Sequence, residues 1–195
     1  AAVEAIRSVC DLPILCTLSV QSDGKAYFDG NAAEAAVSLE ELGADAVGVN
    51  CASGPDQLES VVRMMKNACT LPIVAKPNAG LPVMTEHGEA VYPMDAQQFA
   101  EAMERLVQAG ASLIGGCCGT TPAFIEALNA ALAGRTASWN EKTVRGICSA
   151  GEICEFGKGV RVIGERINPT GKKRFQQALR EDDMNYIVAQ AVEQA

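Results

Sequence analysis

Strand and helix alternate four times in the first part of this chain, and that alternation restricts the fold more than any other feature. Short apolar runs at residues 14–20, 46–49, 72–76 and 112–114 read as strands. Each is followed by a loop and then by a stretch with helical apolar spacing or helix-capping signals. Asn31 caps a helix that runs to about Leu42 and is closed by Gly43. Pro55 opens one to about Ala68, with Leu58, Val61, Val62 and Met65 on one face. Asp95 caps a third, in which Phe99, Met103, Leu106 and Val107 face inward and Gly110 ends the helix. Thr121-Pro122 starts the fourth, which ends near Gly134. Consecutive strand–helix units make a parallel sheet, and strands apolar throughout imply burial on both faces. The fold class is therefore α/β, and a doubly wound sheet or a (β/α)8 barrel can each supply the pattern.

The strand ends favour the barrel. Cys51 follows the second strand, Asn78 the third and Cys117-Cys118 the fourth, and barrel active sites gather at strand C-termini. A complete barrel takes roughly 250 residues, so four units in about 134 residues read as half of a TIM barrel. The expected organisation is this half-barrel over 1–133, a linker over 134–159, and the start of a second domain over 160–195. In the last segment, 160–164 reads as a strand and 165–171 as a polar loop. Lys172 begins a helical stretch with a break at 181–183. The chain starts without Met inside a helical pattern and stops inside another, so both ends read as cut and the chain as a fragment. Half a barrel exposes sheet edges, so marginal stability is expected of it alone.

Hydrophobic residues make up 48% and charged residues 21%, the balance of a folded globular protein. A net charge of -8 leaves no domain-wide basic footprint for nucleic acid. No apolar run is long enough to span a bilayer and no signal peptide opens the chain, so a cytoplasmic location is expected. The 8 cysteines do not read as a disulfide framework in a chain of 195 residues without a secretory segment. Cys10, Cys16 and Cys69 read as small buried hydrophobes. Cys148 and Cys154, in the linker segment, are a weak metal signal.

Gly115-Gly116-Cys117-Cys118-Gly119-Thr120 is different in kind. Thiolates are strong zinc ligands, and three of them leave one coordination position for an outside ligand, which marks a catalytic rather than a structural site. Glycines beside adjacent cysteines permit the sharp turn that lets both ligate. Spacing alone equally allows a core Cys51 beside a buried pair or a vicinal disulfide. The only histidine, His87, lies in the long loop 77–93 and reads as solvated. No phosphate loop or dinucleotide fingerprint occurs at proper spacing. Glu165 and Asn168 place a carboxylate and an amide at a strand mouth, where they can read a heterocycle or simply cap a loop.

Three motifs in order carry a family resemblance: Gly48-Val49-Asn50-Cys51, Lys76-Pro77-Asn78-Ala79-Gly80, and the Gly-Gly-Cys-Cys-Gly-Thr run at 115–120. They resemble the homocysteine S-methyltransferase signature over about residues 1–133. The resemblance implies Zn2+ on Cys51, Cys117 and Cys118, with these cysteines carrying catalysis, and Asn78 at the amino-acid end of homocysteine. The run at 164–171 resembles the pterin-binding domain that follows the homocysteine module in cobalamin-dependent members. It implies that Glu165 and Asn168 face methyltetrahydrofolate, and that cobalamin is bound by a domain outside this chain. Rival expectations are a homocysteine methyltransferase fused to a methylenetetrahydrofolate reductase, and a corrinoid methyltransferase acting on another thiol. A third is a non-catalytic zinc module closed by Cys148, Cys154 or His87.

Overall fold

A computed structural model describes residues 1–25, 30–51, 53–137, 143–149, 152–160 and 167–194. They fall into two compact units, Ala1–Glu155 and Phe156–Ala195. The first unit runs α1 (Ala2–Arg7), β1 (Leu15–Leu18), α2 (Ala32–Glu41), β2 (Ala46–Asn50), α3 (Glu59–Ala68) and β3 (Ile73–Lys76). It continues with β4 (Val83–Met84), β5 (Ala90–Val91), α4 (Ala96–Ala109), β6 (Ala111–Ile114), α5 (Pro122–Ala131), β7 (Gly146–Cys148) and β8 (Ile153–Glu155). The second holds α6 (Lys173–Glu181) and α7 (Met184–Gln194).

The four expected strands form one parallel sheet in the order β1-β2-β3-β6. The fold is thus mixed α/β around a parallel sheet. Its centre is the apolar part: Val47, Val49, Ile73 and Ala75 are buried against Leu58, Val61, Val62 and Met65 of the α3 segment and Phe99, Met103 and Leu106 of α4. Burial on both faces holds for β2 and β3 but not for the outer strands, where Leu15 is 55% and Leu113 41% exposed. Gly48 lets β2 and β3 pair closely, since a Cβ there would sit 1.9 Å from the Val74 carbonyl oxygen.

Local signals act as read, with exceptions. Asn31 and Glu34 form a capping box at α2, as Asp95 and Gln98 do at α4. Pro55 opens a single 3-10 turn, Pro55–Gln57, before α3 begins at Glu59. Thr121 stands at the N-cap of α5 without a side-chain capping bond, and Pro122 starts the helix. Segment 77–93 is not one plain loop: β4 and β5 pair antiparallel around exposed His87. Within 134–159, β7 and β8 form a second hairpin, whose Cys148 and Ile153 pack against the core of the first unit. Alternation hid both hairpins, because strands this short carry little pattern.

In the second unit the expected helix break is present: Asp182 adopts the left-handed conformation, φ 55°, between α6 and α7. Phe175 meets Tyr186 edge to face at 6.1 Å, and Arg174 lies 4.8 Å over the Tyr186 ring. Most of the expected strand at 160–164 lies outside the described residues. No helix among the described residues is long and apolar enough to cross a membrane.

Candidate metal centre

Parallel pairing puts the ends of β2, β3 and β6 side by side, and the cysteines lie just beyond them. Cys51 follows Asn50, which pairs with Lys76 at the end of β3. Its backbone is left-handed, φ 56°, a conformation that costs a non-glycine residue energy and that collects at functional sites. Cys117 and Cys118 sit in the turn between β6 and α5. There Gly119 has φ 80°, and a Cβ on it would lie 2.4 Å from the Tyr92 ring. Thr120 closes the turn, its hydroxyl donating to the Cys117 carbonyl at 2.7 Å.

The three sulfurs converge. Sγ of Cys51 lies 2.6 Å from that of Cys117 and 3.7 Å from that of Cys118, and the two adjacent sulfurs are 3.9 Å apart. Among the described residues these three form a group whose ligand atoms lie within 4.8 Å of one another. Tetrahedral zinc with Zn–S near 2.3 Å has S···S edges of about 3.8 Å. Two edges match, and the Cys51–Cys117 edge fits once it opens by about 1 Å. The donor set is the soft thiolate set that zinc prefers, with a fourth position free of any described Cys, His or carboxylate.

The thiols share their protons unequally. Hydrogen bonding to Cys117 first, then burial, then Cys118, push Cys51 up to about 11. Burial acts against ionisation of Cys117 as well. Hydrogen bonds from the Cys51 and Cys118 side chains outweigh it and bring Cys117 below the usual thiol value. Cys117 is therefore a thiolate before Cys51 is.

Asn78 is brought to the site, 5% exposed, and its Oδ1 accepts from the Cys118 N–H at 3.1 Å. Tyr92, which sequence reasoning passed over, also lies there. Its phenol is raised by hydrogen bonding to Cys118, with burial and the three thiols' charge adding to the effect. No periodicity marks Tyr92, because tertiary packing of the 77–93 segment delivers it. Ser53, 4% exposed, is a second polar residue missed; its N–H donates to the Cys51 carbonyl at 2.7 Å.

Other candidates are not gathered in. His87 is exposed at the tip of the β4–β5 hairpin. In the β7–β8 register Ile147 faces Cys154 and Cys148 faces Ile153. Directly opposed residues share a face, so Cys148 and Cys154 point to opposite faces and do not make a pair of ligands. Cys69 is buried as expected, whereas Cys10 and Cys16 are only half-buried. In the second unit, Asn168 accepts from the Thr170 N–H at 2.9 Å, a local turn that fixes the loop before α6. Glu165 lies outside the described residues.

Comparison with known proteins gives the family. The family model for homocysteine S-methyltransferase matches residues 1–132. The chain is 35% identical over 178 residues to a methionine synthase of Mycobacterium tuberculosis and 33% identical over 182 residues to one of Mycobacterium leprae, each match covering 88% of this chain. It spans 15% of the length of either relative. A homocysteine S-methyltransferase 4 of Zea mays is 38% identical over 87 residues, 43% of this chain and 25% of that one. Among solved structures, the homocysteine methyltransferase MmuM of Escherichia coli is similar at 26% identity. Its oxidized form aligns with a TM-score of 0.53 over 66% of this chain and 39% of its own. Its metallated form gives 0.51 over the same shares. The chain belongs to the homocysteine S-methyltransferase family.

Proposed function

We propose that this chain is the thiol-activating part of a cobalamin-dependent methionine synthase, holding Zn2+ on Cys51, Cys117 and Cys118 and transferring a methyl group to homocysteine to give methionine. The observation that carries the reading is the convergence of three sulfurs at neighbouring strand ends with no fourth Cys, His or carboxylate beside them among the described residues. Zn2+ held there supplies a Lewis acid that lowers the pKa of a thiol bound in the open position. The residues do the rest. The three cysteines hold one face of the site, and the β6–α5 turn fixes the orientation of two of them. The Asn78 side chain brings an amide into reach of the amino-acid end of homocysteine. The homocysteine thiol would give up its proton to solvent, and its sulfur would then bond to the methyl as the bond between methyl and its carrier breaks, leaving that electron pair on the carrier.

In this reading the methyl comes from methyltetrahydrofolate by way of cobalamin bound by another domain of the same protein. Residues 1–133 are the C-terminal half of a homocysteine-binding barrel, 134–159 a linker, and 160–195 the start of the pterin-binding domain, with Glu165 and Asn168 toward methyltetrahydrofolate. Support comes from the extent of the matches. The methionine synthases align over 178 and 182 residues, more than residues 1–132 hold, whereas the Zea mays homocysteine S-methyltransferase aligns over 87.

Metal analysis of the full-length protein carrying this sequence tests the claim. Zinc should be present and should be lost, together with homocysteine methylation, in Cys51→Ser and Cys117→Ser. Full zinc content in both variants would refute the assignment.

A further inference from the structure

The exit of β3 holds the backbones of all three cysteines. The Lys76 carbonyl accepts from the Cys51 N–H at 3.1 Å, and the Pro77 carbonyl from the Cys117 N–H at 2.8 Å. Asn78 Oδ1 accepts from the Cys118 N–H at 3.1 Å, and the Ala79 N–H donates to the Cys118 carbonyl at 2.9 Å. The Asn78 N–H also donates to the Ser53 carbonyl at 3.1 Å, tying in the loop after Cys51. Four consecutive residues thus grip both cysteine loops, and only one of these bonds is made by a side chain.

That bond falls at the hardest place in the site. Neighbouring side chains in an extended chain point to opposite sides, so Cys117 and Cys118 present their sulfurs to one point only if the backbone between them is turned. The Cys118 residue is held from both ends, by Asn78 on its N–H and by Ala79 on its carbonyl. Asn78 is 5% exposed, so water does not readily replace its oxygen. It also offers an acceptor without charge. A carboxylate in its place would put a further negative group beside three ionising sulfurs.

We infer that Asn78 is a positioning residue that turns Cys118 into the metal centre by holding its backbone N–H. The inference rests on the reading that the three cysteines bind metal, and it gives Asn78 a role separate from any contact with homocysteine. Groups that orient metal ligands in this way are typically worth about 10–100-fold in metal affinity.

The test uses the full-length protein, metal-free and then titrated with Co2+ as a spectroscopic stand-in for zinc. In Asn78→Ala the Cys118 amide should exchange its hydrogen faster. Co2+ should bind about 10–100-fold more weakly with a changed thiolate-to-metal absorption, while far-UV circular dichroism stays the same. Asn78→Asp, which keeps the acceptor, should restore protection of the Cys118 amide. Unchanged Co2+ affinity and absorption in Asn78→Ala would overturn the inference alone. Absence of thiolate absorption in the unsubstituted protein would overturn the metal reading instead, and the positioning role would then stand or fall on the exchange of the Cys118 amide. Should Asn78→Ala fail to fold, an unprotected Cys118 amide in a folded Asn78→Asp overturns it.

Discussion

Gly119 shows how narrowly the cysteine turn is specified. Its left-handed φ of 80° is one a side chain rarely adopts, and its Cα faces the Tyr92 ring so closely that a methyl group would meet Cγ at 2.4 Å. Gly119→Ala should lower stability by about 1 kcal/mol or more, since both backbone and ring must shift, and should weaken metal uptake as the turn opens. A denaturant midpoint and a metal titration read the two effects, and an unchanged pair would show that the turn is slack. At this scale the sequence singled out the cysteines, as adjacent thiols framed by glycines at a strand end, while their spacing left a buried pair or a vicinal disulfide equally open. It announced the position of Asn78 but not its partner. Nothing in Pro77-Asn78-Ala79 says that the side chain serves Cys118, forty residues away. Tyr92 was illegible for a plainer reason. Its role exists only after two distant loops have packed.

Among the elements, one carboxylate adds to the backbone bonds that join α1, β1 and β2. Asp45 accepts from the Ile14 N–H at 2.7 Å and pairs with Arg7, whose guanidinium also donates to the Gly43 carbonyl at 3.0 and 2.9 Å. The Ile14 hydrogen bond first, then Arg7, outweigh partial desolvation and hold Asp45 below the usual carboxylate value of about 4. A depressed carboxylate contributes stability that is present above its unfolded pKa and lost as pH falls through its folded one. Acidification below about pH 4 should therefore loosen this corner, and Asp45→Asn should remove that part of the pH dependence, as thermal melts across the acid range would register. The box at α2 is a second test: Asn31→Ala should cost about 1 kcal/mol, because its side chain serves the N–H groups of Ala33 and Glu34. The main strands and capped helices were legible because burial and capping leave period and punctuation in the sequence. The β4–β5 and β7–β8 hairpins, of two and three residues a strand, leave neither.

For the molecule as a whole, the sheet is apolar at its centre and uncovered at its sides, where Leu15 and Leu113 remain exposed. Exposed apolar side chains on outer strands forgo the roughly 25 cal/mol per Å2 that burial provides. Residues 1–195 by themselves should therefore melt over a broad range at low temperature, and a transition as sharp as that of an intact domain would count against this. The position of β3 has a kinetic consequence. It lies between β2, which leads to Cys51, and β6, which leads to Cys117, so the sulfurs meet only when both strands have paired with it. Those pairings join residues far apart in the chain, the slow kind of contact in folding. Metal capture during refolding should then lag behind the helical signal, and the colour of bound Co2+ would serve as a clock for the completion of the sheet.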